Sequence, residues 1–372
     1  MKIGILTYQR AHNYGALLQA YSLQTYLKKH GHEVDIIDYW PEYHAQDYKL
    51  IPYFKNRSFL GKIKAILILL IGYKRIIKRT NGYEKFIREQ FNLSETVNFT
   101  TEESLNEIEY DVVVYGSDQI WRRSNYSLFK GFSDVYFGAF PKKVKHKITY
   151  AASMGVIDVN DDDKVYLKKM LQNFDVISVR EDELKKLAEE IIGHNVTLVL
   201  DPVFLLTRKE WMKLNNPLKM INKKEKYIFF YQLTPSDEAI DFVNNLSDYY
   251  GYKVFEIRGR VEPLLFGNRY LQTASPIDFL SLINNAELVV STSFHGVAFS
   301  LIFEKQFYAL GMGNNSGRVQ TLLDNLNISE RLLTNDTKID FEKKINYDNL
   351  KVRMAELKSQ SENYILENIG ND

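Results

Sequence analysis

At 372 residues the chain exceeds the roughly 150 of one ordinary domain, so two domains with separate cores are expected. Its 45% hydrophobic and 26% charged residues exclude a disordered or collagen-like chain, and the absence of cysteine excludes a disulfide scaffold, thiolate zinc sites and cysteine nucleophiles. With 48 Lys+Arg against 47 Asp+Glu the net charge is +1, which leaves no global basic field for nucleic acid, so any electrostatic function is local.

Residues 2–8 read as a short apolar strand, and no charged region, apolar stretch and small-residue cleavage site follow one another there. Export is therefore not expected, and a cytoplasmic location is. The loop Thr7–Gly15 lacks the GxGxxG spacing of dinucleotide binding, but Asn13 and Gly15 stand at a helix start where an anion or a sugar hydroxyl is welcome. A plain capping turn uses the same residues. A helix over 15–27, a stop at Gly31 and a strand over 33–39 complete a βαβ unit.

From Tyr48 to Tyr83 the chain carries nine basic residues and no acid, wrapped around the apolar run Ala65–Gly72. That run falls far short of the ~20 residues a membrane span requires. Basic residues around an Ile/Leu helix predict an interfacial helix touching an anionic leaflet; the other reading is a helix packed on its own domain.

Further apolar runs at 111–115, 147–151, 175–179 and 196–200, separated by helical or loop segments, predict a parallel sheet buried on both faces. Two of them end in chemistry-bearing residues. Gly116-Ser-Asp-Gln-Ile-Trp121 offers an acceptor in Asp118, an amide in Gln119 and a stacking plane in Trp121, the set that grips a pyranose; a cap plus a core tryptophan is the alternative. Ile177-Ser-Val-Arg-Glu181 places Arg180 at a strand end, suited to a bidentate grip on phosphate or carboxylate, unless it merely pairs with neighbouring acids.

Residues 209–226, rich in Lys and Asn and holding Pro217, read as the linker. Strands at 227–231, 252–257, 288–291 and 307–310, alternating with helices, then form a second α/β unit. Its most loaded segment is Leu288–Ile302, where Ser291, Thr292 and Ser293 precede His295-Gly296 at a helix start. Unpaired N–H groups and the helix dipole suit a phosphate there, with an imidazole beside it to move a proton. The other histidines show no metal spacing, and no metal site is expected. The chain thus divides into 1–207 with a basic helical insertion at 48–83, 208–340, and a helical segment 341–372 folding back across the junction. Ligands in two such open sheets collect beyond the carboxyl ends of the strands.

Taken together, Asn13–Gln24, Val34–Tyr39, Gly116–Trp121, Tyr150–Gly155, Ser178–Glu181, Leu200–Val203 and Ser291–Gly296 resemble, in order and spacing, the polysaccharide pyruvyl transferase family. The resemblance implies two Rossmann-like domains facing a cleft, as in GT-B glycosyltransferases. It also implies transfer of the enolpyruvyl carbons of phosphoenolpyruvate to hydroxyls of a sugar in a surface polysaccharide or its lipid-linked precursor, without a cofactor. Arg180 and His295 match the family's donor-binding arginine and essential histidine. The family tends to place a second arginine two residues before that histidine, where this chain has Ser293. Arg318 is the candidate substitute, with Arg258 and Arg260 behind it.

On this reading the donor site comprises Arg180, Ser291, Thr292, Ser293, His295, Gly296 and Arg318. The acceptor site comprises Asn13, Tyr14, Gly15, Gln19, Ser117, Asp118, Gln119 and Trp121. His295 acts as acid and Asp118 or Glu181 as base. The expected partners are phosphoenolpyruvate, a glycan acceptor and an anionic leaflet, but no nucleic acid; the pattern sets no oligomeric state. Two other readings compete, a nucleotide-sugar glycosyltransferase and a non-catalytic glycan- or phosphate-binding relative. The first wants an acid on the helix after the second domain's strand, where this chain has Phe299.

Overall fold

The computed structural model describes residues 1–48, 58–94, 100–126, 128–214, 225–311, 316–334 and 340–370. β1 (Lys2–Leu6), α1 (Tyr14–Lys29) and β2 (Glu33–Ile36) form the opening βαβ unit, followed by the short α2 (Glu42–Ala45) and the long α3 (Phe59–Gln90). β3 (Val112–Tyr115), a two-stranded hairpin of β4 (Ser124–Asn125) and β5 (Lys130–Gly131), and β6 (His146–Thr149) come next. α4 (Asp161–Leu171), β7 (Ser178–Val179), α5 (Asp182–Ile192) and β8 (Thr197–Leu198) complete the first unit.

The strands align in parallel in the order β2-β1-β3-β6, and isolated bridges Ile148–Val176 and Ala152–Val179 carry the sheet on to the β7–β8 pair. All four residues of β3 are buried, as strands covered by helices on both faces must be. The runs at 175–179 and 196–200 pair with each other over two residues each, Ser178–Val179 with Thr197–Leu198.

After α6 (Arg208–Trp211) the second unit runs β9 (Tyr227–Gln232), α7 (Asp237–Tyr250), β10 (Lys253–Arg258), α8 (Pro276–Asn285), β11 (Leu288–Ser291), α9 (Phe294–Ile302), β12 (Gln306–Leu310), α10 (Gly317–Asn325), β13 (Leu332–Leu333) and α11 (Tyr347–Ile369). Its parallel sheet has the order β10-β9-β11-β12-β13. In each sheet the chain first steps to one side and then to the other, which opens a crevice between β1 and β3 and another between β9 and β11. The loops that matter leave from these crevices.

The two units share one apolar core. Tyr14 of α1 stacks on Phe279 of α8 at 4.7 Å, and its hydroxyl donates to the Ala274 carbonyl at 2.8 Å. α11 returns to the first unit, where the Tyr364 hydroxyl donates to the Thr149 carbonyl at 3.0 Å and Ser361 Oγ accepts the Leu200 N–H at 2.9 Å. The expected linker needs a correction: Trp211 is fully buried with its indole N–H on the Val203 carbonyl, so its first part is packed structure, while residues 215–224 lie outside the described residues.

α3 differs from a simple excursion. Ala65, Gly72, Arg79 and Tyr83, spaced by seven and four, face inward and reach the second unit. A Cβ added at Gly72 would fall 2.7 Å from the Pro263 ring, and Arg75 donates to the carbonyls of Pro263 and Leu265. The opposite face stays open: Phe59, Leu60, Leu67 and Leu70 are all more than half exposed. Residues 49–57 of the basic segment lie outside the described residues.

Candidate active site

The loop after β3 is fixed from below. Gln19 donates to Thr7 Oγ1 at 2.9 Å and to the Ala16 carbonyl, and its Oε1 accepts the Ser117 N–H at 3.1 Å. Ser117 Oγ donates to the Ala151 carbonyl at 2.8 Å and lies 3.1 Å from Asp201 Oδ2. Arg180 emerges directly from β7, pairs through Nη1 with Asp201, reaches Ser117 Oγ at 3.3 Å, and meets Asp118 Oδ1 through Nη2 at 3.3 Å. Asp201 caps the turn after β8 by accepting the Val203 N–H on Oδ1 at 3.1 Å, which leaves Oδ2 to Arg180 and Ser117.

The second unit supplies the opposite wall. Ser291 Oγ accepts the Ser293 N–H at 3.0 Å, and Thr292 Oγ1 accepts the Leu233 N–H at 3.1 Å, so both hydroxyls bind the strand-to-helix turn together. A Cβ at Gly296 would fall 2.1 Å from Ser291 Oγ, which is why the turn requires glycine there. Phe294 presents its ring to two cations: the Arg180 guanidinium carbon at 5.1 Å and that of Arg318, from α10, at 6.0 Å. His295 stands in the first turn of α9 with Nε2 at 3.7 Å from Asp201 Oδ2, longer than a hydrogen bond.

Burial sharpens the electrostatics. Desolvation, and after it the charge of Arg180, brings Arg318 down to about 10. Burial would raise the Asp201 carboxyl, yet the Arg180 charge, His295 and the Val203 N–H together hold it well below the carboxylate range. Glu181 goes the other way: burial raises it against the pull of Arg180 and Arg318, with Ser153 donating to Oε1. Among the described residues, four buried polar atoms here find no hydrogen-bond partner, namely Arg180 Nε, Arg318 Nε, His295 Nε2 and Glu181 Oε2. Buried polar groups are normally paired, and two guanidinium groups against one ring repel, so an anion between them relieves both penalties.

Several expected site residues prove to serve the fold. Trp121 is buried, stacks on Phe137 at 5.2 Å and donates its indole N–H to the Tyr136 carbonyl at 2.9 Å, which leaves no face for a sugar. The bonds of Gln19 are spent on the loop, and Tyr14 lies in the interdomain core. Asn13 caps α1 by accepting the Gly15 N–H at 2.9 Å and the Ala16 N–H. Gln119 stands against Gly155, and Gly15 carries no side chain but lies under the His295 ring. Of the basic candidates, Arg258 is tied to Glu256 and Glu262, whereas Arg318 joins Arg180. Asp201, which joins Arg180 and His295 here, is not among the expected site residues, although it lies in the Leu200–Val203 motif as an Asp-Pro turn directly after a strand. Beside the cluster lies a cavity of about 1040 Å³ with His12, Asn13, Arg79 and Arg260 in its wall.

Fold and site define a two-domain α/β protein whose buried polar cluster is assembled from strand tips of both sheets. Residues 13–314 match the family polysaccharide pyruvyl transferase. The chain belongs to that family, which is a family of transferases. No curated protein matches the sequence. Among solved structures, UDP-GlcNAc 2-epimerase from Neisseria meningitidis bound to UDP-GlcNAc is 10% identical, with 98% of this chain and 93% of that one covered and a TM-score of 0.48. The Methanocaldococcus jannaschii UDP-GlcNAc 2-epimerase is 10% identical, with both chains covered in full and a TM-score of 0.48. A glycosyltransferase from Streptomyces is 11% identical, covering 97% and 96%, with a TM-score of 0.41.

Proposed function

We propose that this transferase moves the enolpyruvyl carbons of phosphoenolpyruvate onto two hydroxyls of one sugar unit in a polysaccharide or its precursor, forming a pyruvate ketal and releasing phosphate. The observation that carries this is the pair of guanidinium groups on the Phe294 ring, with the His295–Asp201 contact beside them. A donor with a phosphate and a carboxylate needs two cations, and Arg318 takes the place that Ser293 leaves without charge.

The roles expected of the two side chains are exchanged in this reading, with Glu181 as the acid toward carbon and His295 as the base toward the first hydroxyl. Glu181, whose carboxyl is pushed up by burial, keeps its proton to higher pH than it would in water and delivers it to the methylene carbon. C2 then carries positive charge, which the first sugar hydroxyl attacks while His295 Nε2 takes its proton. The resulting imidazolium faces Asp201, kept ionised by Arg180. The C2–O bond to phosphate breaks, the phosphate leaves with the His295 proton, and the second hydroxyl closes the ketal as its own proton passes to Glu181, restoring the acid. Arg180 and Arg318 offset the charge of the departing phosphate.

Calorimetric titration separates this reading from its competitors. The wild-type protein is expected to bind phosphoenolpyruvate and not a uridine nucleotide, and Arg318→Gln is expected to lose at least tenfold in affinity. Nucleotide binding without phosphoenolpyruvate binding overturns it. The nucleotide-sugar alternative has little support, because Phe299 is fully buried with its ring 5.0 Å from Trp211.

A cytoplasmic protein meeting the inner leaflet through 48–83 belongs to the same proposal. Among the described residues no helix is long and apolar enough to cross a membrane. The outward face of α3 joins exposed Phe59, Leu60, Leu67 and Leu70 to exposed Lys64, Lys74 and Lys78, a composition suited to an anionic surface. Each such cation near the leaflet contributes about 1 kcal/mol. Sedimentation with vesicles tests it: binding should require anionic lipid, fall as salt rises and drop on neutralising Lys74 and Lys78. Indifference to such vesicles at low salt contradicts it.

A further inference from the structure

The cavity of about 1040 Å³ lies between the inner side of α3 and the strand-tip loops of the second unit, and the donor cluster makes no use of it. Its roof is apolar, made by Ile68, Leu69 and Ile76. Its floor is cationic. Arg260 is exposed, and among the described residues it has no ion-pair or hydrogen-bond partner; the buried Arg79 likewise keeps Nη1 without a described partner, although Nη2 reaches the carbonyls of Arg258 and Gly259 at 2.9 and 3.0 Å. The acids nearby are already engaged: Glu262 with Arg258 at 2.9 Å, and Glu84 with His12 at 2.9 Å. A chamber with an apolar roof and uncompensated guanidinium groups below fits an amphipathic anion.

We propose that this cavity is the subsite for the lipid anchor of the acceptor, taking a prenyl-type chain against α3 and its phosphate at Arg79 and Arg260. This deepens the reading above and rests on it for the acceptor's identity. The placement is consistent along the chain. Asn13 lines the cavity and lies two residues from Gly15, which touches His295, so a glycan attached at the phosphate extends toward the imidazole. The chain leaves past Leu69 toward the exposed Leu67 and Leu70, where a membrane supplies the rest of the hydrocarbon. One helix thereby contacts lipid on its outer face and a single extracted lipid on its inner one.

Binding of farnesyl phosphate is measured by calorimetry without phosphoenolpyruvate on the full chain carrying Arg318→Gln, which weakens the donor cluster's own hold on phosphate, so the outcome is independent of pyruvyl transfer and of the donor site. Farnesol and inorganic phosphate serve as separate arms. Farnesyl phosphate should bind at least tenfold more tightly than either. Arg260→Gln, an exposed substitution that folding tolerates, should remove about tenfold from farnesyl phosphate and leave farnesol unchanged. Leu69→Glu, in the roof, should abolish farnesyl phosphate binding while circular dichroism stays native; Leu69→Met, a volume-conserving change, should retain it. Inorganic phosphate binding as tightly as farnesyl phosphate, or farnesyl phosphate binding unchanged in both Arg260→Gln and Leu69→Glu, overturns the assignment.

Discussion

His295 of the second unit rests directly over Gly15 of the first: a Cβ added to Gly15 would fall 2.0 Å from His295 Nδ1. No side chain fits between them, so the glycine at the start of α1 sets where the imidazole stands relative to Asp201. Gly15→Ala must displace the ring or part the two units. Misplacement of a reacting group by about 1 Å costs on the order of 10²-fold in rate. Gly15→Ala is expected to lose that much turnover while costing only about 1–3 kcal/mol in denaturant unfolding, as overpacking does. Unchanged turnover contradicts a working role for the contact.

Asp201 is the hub that Arg180 and His295 share. Its carboxyl is lower in the folded chain than in the unfolded one, so its contribution to stability is present above the ordinary carboxylate range and is lost as pH falls through the depressed value. Asp201→Asn leaves Arg180 buried without that charge, and breaking a buried pair costs about 3–5 kcal/mol. Urea unfolding at neutral pH should show this loss, and the gap to wild type should narrow on acidification below about pH 4.

Glu181 answers to the opposite sign. An acid that must carry its proton works below its raised value, so turnover is expected to fall as pH rises through it. Glu181→Gln keeps the shape and removes the proton. A pH–rate series should show a loss of about 10²–10⁴-fold and the disappearance of that alkaline limb.

His44 sits between the rings of Tyr8, Tyr43 and Tyr136 at 4.9, 4.5 and 6.0 Å. Burial, and after it the charge of Arg122, lowers its imidazole to about 3. The unfolded chain binds the proton first, so stability falls on acidification from about pH 6.5. The slope from this group is up to about 1.4 kcal/mol per pH unit, and His44→Phe is expected to remove it from denaturation midpoints measured between pH 6.5 and 4.

The parallel sheets were legible because Val/Ile runs such as 112–115 are buried on both faces and leave no other reading of their period. Arg180 and His295 stand out in the sequence as candidates because Arg180 directly follows a strand and His295 opens the helix that comes shortly after another, where open sheets place ligands. Trp121 was not: its residue type suits a sugar and a core equally, and the choice is made by the Tyr136 carbonyl that takes its N–H. Asp201 was hidden by its cap role, which accounts for an aspartate before proline without any chemistry. The two-sided character of α3 escaped composition as well, since its period shows an apolar face but not that Gly72 meets Pro263 across the domain boundary.

The most direct measurement of the central claim is incubation of the protein with phosphoenolpyruvate and a panel of free and lipid-linked glycosides, following phosphate release and the mass of the glycoside together. The account predicts phosphate release only with an acceptor, matched by a product carrying a ketal-linked pyruvate, and loss of both in Arg180→Gln and His295→Ala with folding intact. Phosphate release without a mass gain, transfer from a uridine-nucleotide sugar in place of phosphoenolpyruvate, or full activity in His295→Ala would contradict it.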